Sequence, residues 1–128
     1  MKKHYLKITA AQPLVYYLLG GLPAVVWGFA VRQVVLWHIT WAVNSVSHVY
    51  GRQMFKTGDI SMNNPLIGIL ALGEGWHNNH HAFEDSCRHG LKWWQLDFTW
   101  MVIKFLNIIG LAKDLRYPNP ARMQKLAW

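Results

Sequence analysis

The 128-residue sequence contains a single cysteine, Cys87, and only six acidic residues against thirteen Lys and Arg. One cysteine excludes an internal disulfide, so the chain carries no sign of an oxidising compartment. The shortage of acidic residues leaves a formal net charge of +7. Such a charge is typical of nucleic-acid binders, of proteins that rest on anionic lipid, and of membrane proteins with basic flanks.

The positions of the basic residues separate these three classes. They do not gather into the stripe that nucleic-acid recognition needs, which argues against a nucleic-acid partner. Many of them lie near the ends of apolar segments: Lys2, Lys3, Arg52, Lys56, Lys113, Arg116, Arg122 and Lys125. Hydrophobic residues make up 52% of the chain, and eight residues are Trp, which concentrates at membrane interfaces. We therefore predict an integral membrane protein.

Long apolar runs predict an all-α membrane fold. Residues 14–43 are almost entirely apolar, which is enough for one full transmembrane helix plus a partial one. The Gly-Gly-Leu-Pro sequence at residues 20–23 indicates a turn, because Gly frees the backbone and Pro suits the first turn of a helix. We predict membrane helices over residues 13–50, with the long helix at residues 23–50.

The rest of the chain predicts short helices on the cytoplasmic side of the membrane. Residues 51–64 are polar and indicate a loop, while residues 65–72 form a short apolar helical segment. Residues 91–111 have a helical pattern that suits the membrane interface. Together residues 51–111 form the predicted metal-binding and interfacial part. Residues 112–128 are a basic tail with two prolines, which we expect to be loose.

Three of the seven histidines stand in the sequence HNNHH at residues 77–81. On a helix, His77, His80 and His81 occupy positions i, i+3 and i+4, so their imidazoles share one face. Neutral imidazole is a good ligand for zinc, iron, copper or nickel. The cluster therefore predicts a metal site.

A second polar pair, Asn44 and His48, lies at the end of the long predicted helix. The two residues are four apart and face the same way. If that helix end meets residues 77–81, the chain carries a site with four histidines. His4 and His89 are isolated, and we expect both to lie outside the metal coordination.

Three motifs resemble the C-terminal motifs of membrane fatty acid desaturases of the delta-9 acyl-CoA and acyl-lipid type. They are NSVSHVYG at residues 44–51, GEGWHNNHHAF at residues 73–83 and RHGLKWWQLD at residues 88–97. The resemblance extends over residues 14–115 and is closest to bacterial and plastid-type members. It suggests that the chain is the C-terminal part of a desaturase domain.

The resemblance implies a di-iron cofactor and its ligands. Five residues match metal-site positions: His48, His77, His80, His81 and, through a water, Asn44. In this family the irons use dioxygen to introduce a cis double bond into a saturated fatty acyl-CoA or acyl lipid, with electrons from cytochrome b5 or ferredoxin. Glu74 and Asp97 are candidates for carboxylates that orient the imidazoles, although each could equally be a solvated side chain.

Two further histidine boxes of the family have no match in the 128 residues. About half of the ligand set is therefore present, and we expect that the chain alone cannot form a working di-iron centre without an N-terminal half. Three alternatives remain open. They are a related membrane di-iron hydroxylase, a non-catalytic membrane protein with a zinc site formed by His48 and the HNNHH cluster, and a basic interfacial lipid-binding fragment without metal.

Overall fold

The computed structural model of the chain describes residues 4–128; the predicted basic pair Lys2 and Lys3 lies outside the described residues. Within that range the regular secondary structure is helical, with three isolated β-bridges in the loops. The all-α prediction is confirmed. The chain divides into two units, one ending at His38 and one comprising Ile39–Trp128.

The first unit contains helix α1 (Tyr5–Pro23), a π-helical segment (Ala24–Val31) and the start of helix α2 (Arg32–Val46). Helical geometry breaks inside α1 at Gly20 and Gly21. Gly21 has φ 63° and ψ −157°, a conformation open to glycine and strained for other residues. The break confirms the turn predicted at residues 20–23.

Beyond this turn the chain runs back along α1. The ring centroids of Tyr16 and Phe29 are 6.5 Å apart, and a Cβ added to Gly28 would lie 2.6 Å from the Tyr16 ring. Arg32 donates to the side-chain oxygen of Gln12 (3.2 Å) and to the Gly28 carbonyl (3.0 Å). These bonds satisfy a charged residue inside an apolar segment, where an unpaired charge would be costly.

The apolar helical run Leu6–Val46 is 41 residues long, and its most apolar part has a mean hydropathy of 1.8 with none of it buried inside the protein. A bilayer core needs about 20 residues of helix. Exposed side chains in the run include Leu18 at 75% and Leu19 at 79%. This surface suits lipid and agrees with the predicted membrane segment.

Helix α2 ends at Val46, so the predicted end at residue 50 is wrong. The backbone N–H of His48 donates to the Ser45 carbonyl in a tight turn (3.1 Å), and the Ser47 carbonyl accepts from Met62 in the following loop (2.7 Å). Because this loop takes the backbone groups that would extend the helix, His48 leaves the helical path.

The second unit carries four short helices beyond the end of α2. They are α3 (Pro65–Leu70), α4 (His77–Ala82), α5 (Phe98–Ile108) and α6 (Pro120–Leu126). Helix α3 starts where we predicted it, because Pro65 occupies its first turn and the Asn64 side chain accepts from the Ile67 N–H (3.1 Å). The HNNHH sequence forms α4, as the histidine spacing predicted.

The basic tail is ordered around α6, so the prediction of a loose tail is wrong for this segment. The Asn119 side chain caps α6, while Met123 and Leu126 pack against the buried pair Phe55 and Phe83. The Leu126 carbonyl also accepts from a backbone N–H in the loop after α2. Apolar side chains spaced along a short capped helix thus dock the tail against the unit that carries α4.

Helix α5 begins at Phe98, so the predicted helix start at residue 91 is also wrong. The Gln95 side-chain oxygen accepts from the backbone N–H groups of Leu91 (2.7 Å) and Lys92 (2.9 Å), which holds residues 91–95 in a turn. Asp97 then caps α5 by accepting from the Trp100 N–H (2.8 Å). Side chains that bind nearby backbone groups compete with helix formation in this way.

We expect Asp97→Ala to destabilise the second unit by about 2–4 kcal/mol, because the substitution leaves three N–H donors without their acceptor. Asp97 is 4% exposed and accepts from Trp100, His89 and Gly90. Thermal unfolding in detergent, followed by circular dichroism, measures the change. Asp85→Ala is the matched control, since the Asp85 side chain is 86% exposed. Equal unfolding temperatures for the two variants would contradict this account.

Candidate metal centre

Three histidine side chains point their nitrogens at one another in the second unit. The Nε2 atom of His77 lies 3.1 Å from Nε2 of His48 and 3.1 Å from Nε2 of His81. All three ligand nitrogens fall within 4.8 Å of one another. His77 and His81 are one turn apart on α4, and His48 comes from the turn after α2. These residues, hereafter the His trio, could hold one metal ion.

His77 is the most enclosed residue of the trio, at 5% exposure. Burial, together with the neighbouring imidazoles of His81 and His48, lowers the pKa of His77 to about 4. The ring is therefore neutral at pH 7, which is the form in which imidazole binds a metal ion.

His81 is oriented by a carboxylate. Its Nδ1 lies 2.6 Å from Oδ2 of Asp59, which directs Nε2 toward the trio. Burial acts to raise the pKa of Asp59, but hydrogen bonds from Ser61, Thr57 and His81 outweigh it and hold that pKa well below its usual range. Asp59 is therefore an ionised acceptor at neutral pH.

Asp59 was missed from the sequence, which indicated only that it lies in the polar loop at residues 51–64. It is 22 residues from His81, so no local spacing connects the two. The sequence shows only that Asp59 is a carboxylate in a loop. Glu74 and Asp97 are carboxylates as well, so the sequence could not identify Asp59 as the partner of His81.

The two asparagines between the histidines anchor α4 to the surrounding loops. Asn78 is fully buried, and its Oδ1 accepts from the backbone N–H groups of Met54 (2.7 Å) and Phe55 (2.8 Å). Asn79 donates to the carbonyl of His89 (2.7 Å) and to the side chain of Gln95 (3.0 Å). Buried polar groups with complete hydrogen bonding fix a unique arrangement, so the asparagines hold the histidine-bearing helix in place.

His80 lies beside the trio rather than in it. Its ring centroid is 6.0 Å from that of His77, 5.6 Å from that of His81 and 4.6 Å from that of His89. Burial and the nearby His89 lower the pKa of His80. Its Nδ1 is buried and has no hydrogen-bond partner among the residues that the structure describes. An orphaned buried nitrogen next to three converging ones fits a metal-binding environment, and imidazole suits iron as well as zinc.

The other three predicted site residues occupy different surroundings. Asn44 is exposed, and its amide donates to the Thr40 carbonyl on the same helix (2.9 Å). The Glu74 carboxylate lies 3.4 Å from Nδ1 of His89. Asp97 accepts from the backbone around His89, as described above. Their roles toward a metal remain predictions.

Comparison with known proteins adds an independent finding. The family described as fatty acid desaturase matches residues 3–105. The chain is 53% identical over 128 residues to the chloroplastic palmitoyl-monogalactosyldiacylglycerol delta-7 desaturase of Arabidopsis thaliana, covering 100% of this chain and 34% of the relative. It is 53% identical over 117 residues to an acyl-CoA 5-desaturase of Anemone leveillei, covering 91% and 36%.

A bacterial relative shows a similar level of identity. The sn-1 stearoyl-lipid 9-desaturase of Synechocystis is 48% identical over 120 residues, which cover 94% of this chain and 38% of the relative. The chain thus spans about a third of the length of the relatives it matches.

Proposed function

Because the chain belongs to the fatty acid desaturase family, which matches it over residues 3–105, we propose that it supplies one half of the iron site of a fatty acyl desaturase. The observation that carries this proposal is the convergence of the Nε2 atoms of His48, His77 and His81 within 4.8 Å. Two of these nitrogens come from α4, and the third follows directly on the long apolar helix.

Several residues of this chain would coordinate or face the two irons. The His trio would hold one iron, and His80 would face the second, with Asn44 acting through a water. When bound, the two irons supply the dioxygen chemistry that removes two hydrogens from an acyl chain and leaves a cis double bond. Asp59 holds the proton on Nδ1 of His81, so that Nε2 keeps its lone pair, and burial keeps His77 neutral.

Membership of the family also suggests the substrate, the electron donor and the position of the chain at the membrane. The substrate would be a fatty acyl-CoA or an acyl lipid, and the electrons would come from cytochrome b5 or ferredoxin. Residues 13–46 of the predicted membrane segment would lie in the membrane, and His48 with residues 51–111 would carry the metal on the cytoplasmic side. Residues 112–128 would form the basic tail. The exposed apolar surface of the Leu6–Val46 run supports the membrane part. The remaining histidine ligands would come from an N-terminal half.

A segment exchange tests the proposal. The corresponding third of a full-length acyl-lipid desaturase is replaced by the sequence of this chain, and the fatty acids of host cells are analysed by gas chromatography and mass spectrometry. We expect the chimera to form a cis double bond. The chimera with His77→Ala should form none, while the chimera with the exposed His4 replaced by alanine should retain activity. A hydroxylated product would instead favour the related hydroxylase chemistry.

The 128-residue chain alone should bind iron without desaturating a substrate. The His trio can hold one metal ion, but the trio and His80 together cannot complete two redox-active sites. The purified chain in detergent is loaded with ferrous iron under anaerobic conditions, then given a saturated acyl substrate, a reduced electron carrier and dioxygen. We expect about one iron per chain and no unsaturated product. Turnover would contradict this expectation, and one equivalent of zinc with exclusion of iron would favour a structural zinc site.

A further inference from the structure

His89 is held from three sides although it is not among the predicted ligands. Its backbone N–H donates to Oδ2 of Asp97 (2.8 Å), and its carbonyl accepts from the Asn79 side chain on α4 (2.7 Å). Its Nδ1 lies 3.4 Å from Oε2 of Glu74, and the His89 side chain is only 16% exposed. Together these contacts restrict the position of both the backbone and the ring of His89.

The ring held in this way lies against His80. The two ring centroids are 4.6 Å apart, with the planes inclined at 46°. In the trio, His81 has a carboxylate on Nδ1 that fixes its ring. His80 has no such partner on its buried Nδ1 among the described residues. Among the ring contacts of His80 with His77, His81 and His89, the one with His89 has the shortest centroid distance, which places His89 to set the direction of the His80 ring.

We propose that His89 is a positioning residue, held by Glu74 and Asp97 so that its ring packs against His80 and fixes the direction of that imidazole. The inference rests on the proposed function in one respect, namely that His80 faces a metal. In this proposal Glu74 and Asp97 do not contact a ligand histidine directly. They orient His89, which in turn packs against His80. Glu74 acts on the His89 side chain, and Asp97 acts on its backbone.

Nuclear magnetic resonance of the histidine rings tests this positioning without metal or catalysis. The metal-free chain, with ¹⁵N-labelled histidine, is compared with Glu74→Ala, His89→Ala and His89→Phe in the same detergent. We expect one sharp set of ring signals for His80 in the unchanged chain. In Glu74→Ala and His89→Ala those signals should shift and broaden, while the signals of the His trio stay in place. His89→Phe keeps a ring in contact and should restore most of the His80 signal.

The controls distinguish positioning from general stability. Asp85→Asn removes an exposed carboxylate near the same loop and should leave His80 unchanged. His80 signals that do not respond to His89→Ala would overturn the proposal. Equal changes in His80 and in the trio, with no recovery in His89→Phe, would show that His89 only supports the fold and would also overturn it. Because Glu74 is half-exposed, we expect its variant to fold even if the His89 variants do not. Failure of the desaturase proposal would appear in the chimera and not in these spectra.

Discussion

Replacing His77 by alanine should weaken metal binding at the His trio at least about a hundredfold. His77 is the middle of the three, since its Nε2 lies 3.1 Å from each of the other two, which come from different parts of the chain. Its loss leaves the trio with two imidazoles, that of His81 on α4 and that of His48 on the turn after α2. Four-ligand zinc sites bind with about 10–16 kcal/mol, or about 3 kcal/mol per ligand, so losing one ligand should raise the dissociation constant at least about a hundredfold.

Isothermal titration of the detergent-solubilised chain with Co(II) measures this loss, and the visible absorption of bound Co(II) reports its coordination. His4→Ala is the matched control, because it removes an exposed histidine from the first unit. Circular dichroism of both variants checks that the helices persist. An unchanged Co(II) affinity in the His77 variant would rule out the trio as the metal site and leave the lipid-binding alternative.

The parts of the fold that local chemistry determines could be read from the sequence. The spacing of His77, His80 and His81 placed them on one helix, and α4 has that form. The turn at residues 20–23 follows from two glycines, one of which adopts a positive φ. Pro65 after Asn64 predicted the start of α3. Each of these depends on contacts within a few residues, where propensity and capping decide the outcome.

The errors arose where distant or side-chain contacts override the local pattern. Residues 91–97 carry a helical apolar spacing, yet the Gln95 side chain binds the backbone N–H groups that a helix would leave open at its start. The tail looked loose because its prolines interrupt it. However, Met123 and Leu126 face a small apolar core that only the folded chain assembles. Periodicity alone cannot reveal a docking partner about 40 to 70 residues away.

The candidate site shows the same division between local and distant information. The sequence supplied the histidines, since ligand type and spacing are local. It did not supply Asp59, whose contact with His81 depends on how the loop after α2 folds back over α4. Nor did it give a role to His89, whose packing against His80 joins the loop before α5 to the same helix. Groups that orient ligands are chosen by the tertiary fold and carry no fixed spacing from the ligands.

Asp59→Asn should weaken metal binding at the His trio by about 10–100-fold while leaving the number of sites unchanged. Groups that hydrogen-bond to a ligand histidine typically contribute this much to metal affinity. The carboxylate lies 2.6 Å from Nδ1 of His81, so it fixes the tautomer that leaves Nε2 unprotonated. Asparagine keeps the size of the side chain but removes the negative charge that makes the His81 ring a stronger electron-pair donor to a metal. Co(II) titration of the chain in detergent measures the affinity.

Asp59 also organises its own loop, since it accepts from Thr57 and from the backbone and side chain of Ser61. Ser61→Ala removes part of this loop support while leaving the contact between Asp59 and His81, and therefore serves as the matched control. We expect Ser61→Ala to lower the unfolding temperature with a metal affinity within about threefold of the unchanged chain, because it leaves the orienting hydrogen bond intact. If both variants lost affinity equally, the role of Asp59 would be to shape the loop, and the orientation of His81 would have to come from the metal itself.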